Sequence, residues 1–388
     1  MPATRAPQSN NYPLYVPPLA SQFEDYLLDC RKVVSTAINS TDAAQLEDAL
    51  DRLKDVQFKG RVPDYTNPIT ASYYQLRYAC GYAFEYYCMY RLLLGWMQQS
   101  GCNRLSIASL GCGVGLDYYA LNRALEDSGA DDWMKPINQD ESFWHGVDLQ
   151  GSGEWGGPSE YKGAGRPFPD DGLISRYPDG AAGYFAAHAD DAVPCPNNVF
   201  FFPRMLSEIC DDRGKVTQLV ESIQNASIKA WEEGEPFWVC IANRSDHGPE
   251  IGVGQEVVDA FRRTRCCCHC GAECEQYPVQ FAHNHLKLGG AWDLCSNPND
   301  SSLLRICEPG NYEASLSIRT LLPEGFTLPN AKGRNILQFM FVPEQKCKEH
   351  YGAKGCAQCK KDLGVAECLL KSPVSKTSQM QFQIFKLS

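Results

Sequence analysis

An α/β fold built on a doubly wound parallel sheet is what the sequence predicts, with a helical cap before it and a cysteine-rich insertion after it. Three observations carry this expectation. Apolar strand-like runs alternate with amphipathic helical runs from Arg104 to Arg263, the pattern of repeated βαβ units. A glycine-rich turn follows the first of those strands directly and opens a helix. Beyond Arg265 the periodicity fades and cysteines accumulate. The expected divisions are residues 1–100 (arm and helical cap), 101–265 (sheet domain) and 266–388 (Cys/His-rich region with the final sheet strands).

Residues 1–20 are proline-rich and read as an arm. Phe23 to about Lys59 carries helical spacing, with Ser40-Thr41-Asp42 as a capping segment between two helices. Pro63 and Pro68 punctuate the chain, and a long helix is expected from Ala71 to Gln99. It holds seven tyrosines between Tyr73 and Tyr90; Tyr74, Tyr78, Tyr82 and Tyr86 recur every four residues on one slowly drifting face. That face is expected to pack on the sheet, with the alternative that one or two rings line a ligand cleft. Strands are then expected at Leu105–Leu110, Phe143–Asp148, Tyr184–His188, Val199–Phe202 and Phe237–Ala242. The expected helices are Leu116–Asp127, Arg204–Ile209, Lys215–Trp231 and Gly254–Arg263. Residues 150–183, rich in Gly and Pro, read as a long surface insertion. Two late runs, 335–342 and 380–387, read as strands.

Composition bounds the function. With 388 residues and 44% hydrophobic content the chain can bury a large core, which excludes a disordered linker. The 36 Lys and Arg against 47 Asp and Glu give a net charge of −11, unfavourable for general nucleic-acid binding. The basic concentrations at Arg262, Arg263 and Arg265 and at Lys346, Lys348, Lys354, Lys360 and Lys361 leave a local contact open. No apolar run approaches a membrane span, and the first residues lack a secretory h-region, so an intracellular, cytoplasmic or nuclear, protein is expected.

Nineteen cysteines without an export signal point to reduced thiols rather than a disulfide network. One group comprises Cys266, Cys267, Cys268, Cys270 and Cys274, with His269, His283, His285 and Cys295 nearby. Within it Cys267 and Cys270 form a C-x2-C, and Cys274 follows at the next suitable spacing. The other group is Cys347, Cys356, Cys359 and Cys368, again around a C-x2-C. Four thiolates around such a knuckle suit tetrahedral Zn2+; an iron–sulfur cluster uses similar ligands. The two groups serve one shared site or two, and the bland reading of each thiol is a small buried hydrophobe.

The turn itself reads Ser109-Leu110-Gly111-Cys112-Gly113-Val114-Gly115-Leu116-Asp117. Glycines there let the backbone adopt positive φ and approach a ligand closely, while free N–H groups of the next helix face the same cleft. The G-x-G-x-G spacing departs from the dinucleotide fingerprint, which disfavours a nicotinamide-dependent oxidoreductase. It resembles the first motif of the class I S-adenosylmethionine-dependent methyltransferases, whose fold is Rossmann-like. Ser109 stands where that family carries a strand-end acid, and Asp117 offers a carboxylate from the other side. The resemblance spans about residues 70–260.

It implies S-adenosylmethionine as cofactor, held by Gly111, Gly113, Gly115 and Asp117. Asp148 at the end of the second strand would accept the ribose hydroxyls, and Asp190 at the end of the third would meet the adenine. Glu208, after the fourth strand, and His247, after the fifth, are candidate catalytic bases. The Asp/Asn-Pro-Pro-aromatic motif of DNA amino-methylating enzymes is absent, and Pro194-Cys195-Pro196 precedes the fourth strand, at the wrong edge for a cytosine-5 nucleophile. The alternative is a non-catalytic, methyltransferase-like metal-binding scaffold for an RNA or protein partner. The methyl acceptor is not legible.

Overall fold

The computed structural model describes residues 63–137, 142–150, 172–244 and 248–264, scattered positions between 26 and 52, positions 155, 156 and 169, and the strands at 279–284, 305–308, 312–315 and 380–387. The first long element is α1, Pro68–Gln99. Asn67 starts it: its side chain accepts from the N–H groups of Ile69 and Thr70, and Pro68 occupies the first turn, where its missing N–H costs nothing. Pro68, expected as a breaker, is thus the first residue of the helix.

Seven strands form one sheet. They are β1 (Ile107–Leu110), β2 (Trp144–Asp148), β3 (Ile174–Arg176), β4 (Val199–Pro203), β5 (Phe237–Arg244), β6 (Val279–Asn284) and β7 (Met380–Leu387), in the order β3-β2-β1-β4-β5-β7-β6. The strands β1 to β5 pair in parallel, with Ile107 facing both Trp144 and Val199, and Val199 facing Trp238. The last strand runs antiparallel to both neighbours, setting Ile384 beside Cys240 and beside Ala282. A separate short ladder pairs Arg305–Glu308 with Tyr312–Ser315.

Helices cover both faces. The sheet side chains Ile107, Val199, Phe201, Trp238 and Cys240 share one buried cluster with residues of α1 and of α2, Leu116–Ser128. Ala108, Leu110, Phe200, Phe202, Val239 and Ile241 share the other with α3 (Gly180–Ala187), α5 (Arg213–Asn225) and α6 (Gly248–Arg263). Between β4 and α5 lies α4, Leu206–Ile209. Burial on both faces explains why the run Val-Phe-Phe-Phe-Pro of β4 shows no alternation of apolar and polar residues. The α/β class and mostly parallel sheet accord with a Rossmann-like arrangement.

One element is not what the sequence suggested. Tyr184–His188 is no strand: Tyr184 and Phe185 belong to α3, whose buried residues Gly180, Ala181, Tyr184 and Phe185 fall on one helical stripe. Short apolar runs read equally as strand or helix, and the four alanines of Gly180–Ala187 tip this one. The third strand is instead Ile174–Arg176, three residues within the expected insertion. Helix 215–231 also divides, into α5 and a turn at Lys229–Glu232. The strand expected at 335–342 lies outside the described residues.

Candidate functional site

The central strand β1 is wholly buried and stops at Leu110. Gly111 and Gly115 then adopt φ of 79° and 78°. A Cβ at Gly111 would stand 2.5 Å from Cβ of Met205, and one at Gly115 2.6 Å from Cγ of Pro169, so neither position admits a side chain. Between them, the indole of Trp155 stands 3.3 Å from where a Cβ of Gly113 would be. The turn leads directly into α2, with Gly115 as its N-cap residue and the Tyr118 N–H donating to the Gly115 carbonyl. In this sheet order, β1 is where the chain reverses its direction of winding, and ligands of open α/β sheets bind beyond the carboxyl ends at that point.

Asp148 ends β2 beside the turn, as the reading of the second strand anticipated. One carboxylate oxygen accepts from the Gly113 N–H at 2.8 Å, the other from the Gln150 N–H at 3.1 Å. Burial raises its pKa while those N–H groups hold it down. Each oxygen keeps a lone pair, so two adjacent hydroxyls can still be accepted. Near it, Oε1 of Gln150 and Nε1 of Trp155 are buried without a hydrogen-bond partner. Leu149 stands 52% exposed next to the carboxylate and supplies an apolar platform.

Asp117 has a different place. It is fully buried at the start of α2, where one oxygen accepts from Trp144 Nε1 at 2.6 Å and from the Tyr90 hydroxyl at 3.1 Å. Burial pushes its pKa up from 3.8 to about 6, against the pull of Trp144, the nearby Ser109 hydroxyl and Tyr90. Asp117, expected among the cofactor-binding residues, is therefore held within the core by Trp144 and Tyr90 and presents no surface to a ligand.

The tyrosine face of α1 divides at the sheet edge. Trp96 packs on Trp238 near the start of β5, and Tyr90 and Tyr86 pack edge-on against Phe201 in β4. Tyr82 lies under the Arg204 guanidinium, 4.8 Å from its ring centre, just past the end of β4. The helix thus runs against the strands, and from Tyr82 back to Pro68 its axis extends about 21 Å past the carboxyl edge. Tyr74 and Tyr78 sit on that overhang, half-buried, their rings 5.1 Å apart. Tyr65 joins them, 5.0 Å from Tyr74 and stacked on Trp155 at 4.4 Å. The N–H of Gly156 donates to the Tyr65 carbonyl at 2.7 Å and ties the two segments together.

Arg204 and Glu208 complete this border. Arg204 holds φ at 61°, a strained value for a residue with a Cβ and characteristic of functional loops. Glu208, on α4, is exposed to solvent, yet enclosure by surrounding protein and then the charge of Asp148 push its carboxyl from 4.5 to about 7, with Lys215 opposing. Its charge, with that of Asp148, also helps raise Tyr65, whose main cause is burial.

The structure brings together Gly111, Gly113, Gly115, Asp148 and Glu208. It does not bring Asp190 to them: that residue follows α3 instead of a strand, and its exposed carboxylate accepts from the Ala192 N–H in a surface turn. His247 lies outside the described residues, as do Cys267, Cys270, Cys274, Cys347, Cys356, Cys359 and Cys368. Among the described residues no three His, Cys, Asp or Glu side chains form a metal-holding group. No described helix is long and apolar enough to cross a membrane. The sequence reading set Arg204 beside Glu208 at the end of the fourth strand but overlooked Trp155 and Tyr65. Trp155 carried a signal as a lone large aromatic among glycines; the positive φ of Arg204 carried none, since strain at a strand end leaves no trace in residue type. No family model matches the chain, and no curated protein or solved structure is found to match it.

Proposed function

We propose that this protein binds S-adenosylmethionine at the carboxyl edge of β1 and β2 and transfers its methyl group to an acceptor. The observation that carries the reading is the pairing of the Gly111–Gly115 turn with Asp148 through the Gly113 N–H. It sets a carboxylate with free lone pairs beside the glycine turn. The order of the seven strands, with a reversed strand inserted before the edge, also resembles that of class I methyltransferases. The Rossmann-like expectation belongs to the same proposal.

The residues fit the cofactor as follows. Asp148 would hold the ribose hydroxyls, Leu149 would lie under a flat base, and the turn would take the methionine end. Bound there, S-adenosylmethionine supplies an electrophilic methyl group on a sulfonium. The chain's task is then to align a nucleophile and accept its proton. Glu208, with a carboxyl poised near neutrality beside Asp148, is our candidate for the second role. His247 remains a proposed base of the neighbouring loop, and zinc at the two cysteine groups a proposed structural element.

Calorimetric titration with S-adenosylmethionine tests the reading. Saturable binding is expected, weakened about tenfold or more in Asp148→Ala, which removes charge-assisted hydrogen bonds, and abolished in Gly113→Arg. Absence of saturable binding to the wild type at millimolar cofactor would defeat it. Ser109 in place of the family's acid favours a second reading, a methyltransferase-like scaffold that binds the cofactor without turnover. Binding with no product on any acceptor would support that one.

A further inference from the structure

We infer that Trp155 is an autoinhibitory plug on the glycine turn: its indole holds the face of Gly113 that a ligand of the turn would take, and the ligand binds by displacing it. For its ligand the inference rests on the methyltransferase reading above, and it concerns the regulation of that same site. Cζ2 and Cη2 of Trp155 stand 3.3 and 3.5 Å from where a Cβ of Gly113 would be. Carbon atoms in contact lie about 3.5–4.0 Å apart, so no ligand atom fits between the indole and the turn. Trp155 and a ligand on that face therefore exclude each other. Pro169, from the same connection between β2 and β3, covers the next glycine: its Cγ and Cδ stand 2.6 and 2.8 Å from where a Cβ of Gly115 would be.

The plug has a seat of its own on the segment that starts α1. The indole lies 21° from parallel to the Tyr65 ring at 4.4 Å, and tilts against Tyr74 at 6.0 Å. The next residue, Gly156, donates its N–H to the Tyr65 carbonyl at 2.7 Å. A Cβ at Gly156 would stand 2.7 Å from the Thr66 carbonyl oxygen and 2.8 Å from that of Asn67, so a glycine is what lets the chain dock so closely.

The seat also carries a cost. Nε1 of Trp155 is buried without an acceptor, a hydrogen bond that water supplies once the indole leaves. The residue as a whole stays partly open to solvent, unlike the fully buried Trp144 and Trp238. Ring stacking and one backbone bond on one side, and a forfeited hydrogen bond on the other, make the contact reversible. A ligand's apparent affinity is then its intrinsic affinity reduced by the fraction of molecules whose indole is off the turn. Removing the indole raises that fraction. The sign is opposite to that of a side chain that contacts the ligand.

Calorimetric titration with S-adenosylmethionine of the wild type, Trp155→Ala and Trp155→Phe reads this sign. Trp155→Ala is expected to bind about fivefold tighter or more, and Trp155→Phe, which keeps a ring on Tyr65, to lie between it and the wild type. Fluorine NMR of the wild type labelled with 5-fluorotryptophan follows the indole directly, its resonance identified by its loss in Trp155→Phe. At saturating S-adenosylmethionine that resonance is expected to move to the position of a solvent-exposed indole, a wild-type measurement that stands even where the alanine variant does not fold. Equal or weaker binding by Trp155→Ala, or a resonance unmoved at saturation, would overturn the proposal. Wild-type binding with the indole unmoved defeats this inference alone. No binding by the wild type or by either variant defeats the methyltransferase reading, and this inference with it.

Discussion

Asp117 shows how a single buried carboxyl couples the helix cap, the strand and the turn. Its pKa is higher in the folded chain than in the unfolded one, so between about pH 4 and 6 the folded state binds more protons and stability falls as pH rises. The change from 3.8 to about 6 corresponds to roughly 3 kcal/mol at most. Asp117→Asn keeps an oxygen for Trp144 and Tyr90, and its unfolding free energy should lack this fall; denaturant melts of both proteins from pH 4 to 7 measure it. Glu208 titrates by the same rule with a different readout. Its basic form gains population above about pH 7, so under the proposed methyltransferase function the rate should rise from pH 6 to 8. Glu208→Gln should lose that limb and about a hundredfold or more in rate. Asn198 is a third such residue. It accepts from the Ser106 N–H and donates to the Arg104 carbonyl at the amino edge of the sheet, and Asn198→Ala leaves the Ser106 N–H without that acceptor and the Arg104 carbonyl with the weak Cys102 thiol donor. A loss of about 2 kcal/mol is expected in urea unfolding.

Among the elements, those with local signatures were legible in the sequence. The β1–turn–α2 unit follows from glycines at fixed spacing between an apolar run and a helical stripe, and its bounds differ from expectation by a residue or two. Asp148 was legible for the same reason, since an apolar run ends at an acid. What failed was whatever depends on a neighbour. The strand β3 is only Ile174-Ser175-Arg176 among glycines and prolines, and it exists because β2 offers it a ladder. With β3 missed, the apolar Tyr184–His188 took its place and Asp190 inherited a role its position does not support. The tyrosines of α1 show the boundary between the two cases. Their spacing announces one face, but only the packing of the helix divides Tyr86 and Tyr90, against Phe201, from Tyr74 and Tyr78, half-buried beside Tyr65 and Trp155. The cap that fixes this overhang is Asn67; Asn67→Ala should cost about 1 kcal/mol and increase amide exchange selectively in the first turns of α1.

At the scale of the molecule, the sheet is closed by its last strand. Ile384, Phe385 and Leu387 are buried, and β7 bonds to β5 along its full length before β6 can pair. A chain stopped at residue 379 should therefore not assemble the remaining sheet, and loss of the cooperative transition in circular dichroism would be the sign. The same insertion imposes an order in time on a ribosome. Phe237–Arg244, one of the most apolar strands, leaves the exit tunnel 136 residues ahead of Met380. At roughly 5–20 residues per second, it waits on the order of 7 to 27 seconds with one edge unpaired. Nascent chains of this protein should thus depend on chaperone cover during that interval, a dependence written into the strand order rather than into any single residue.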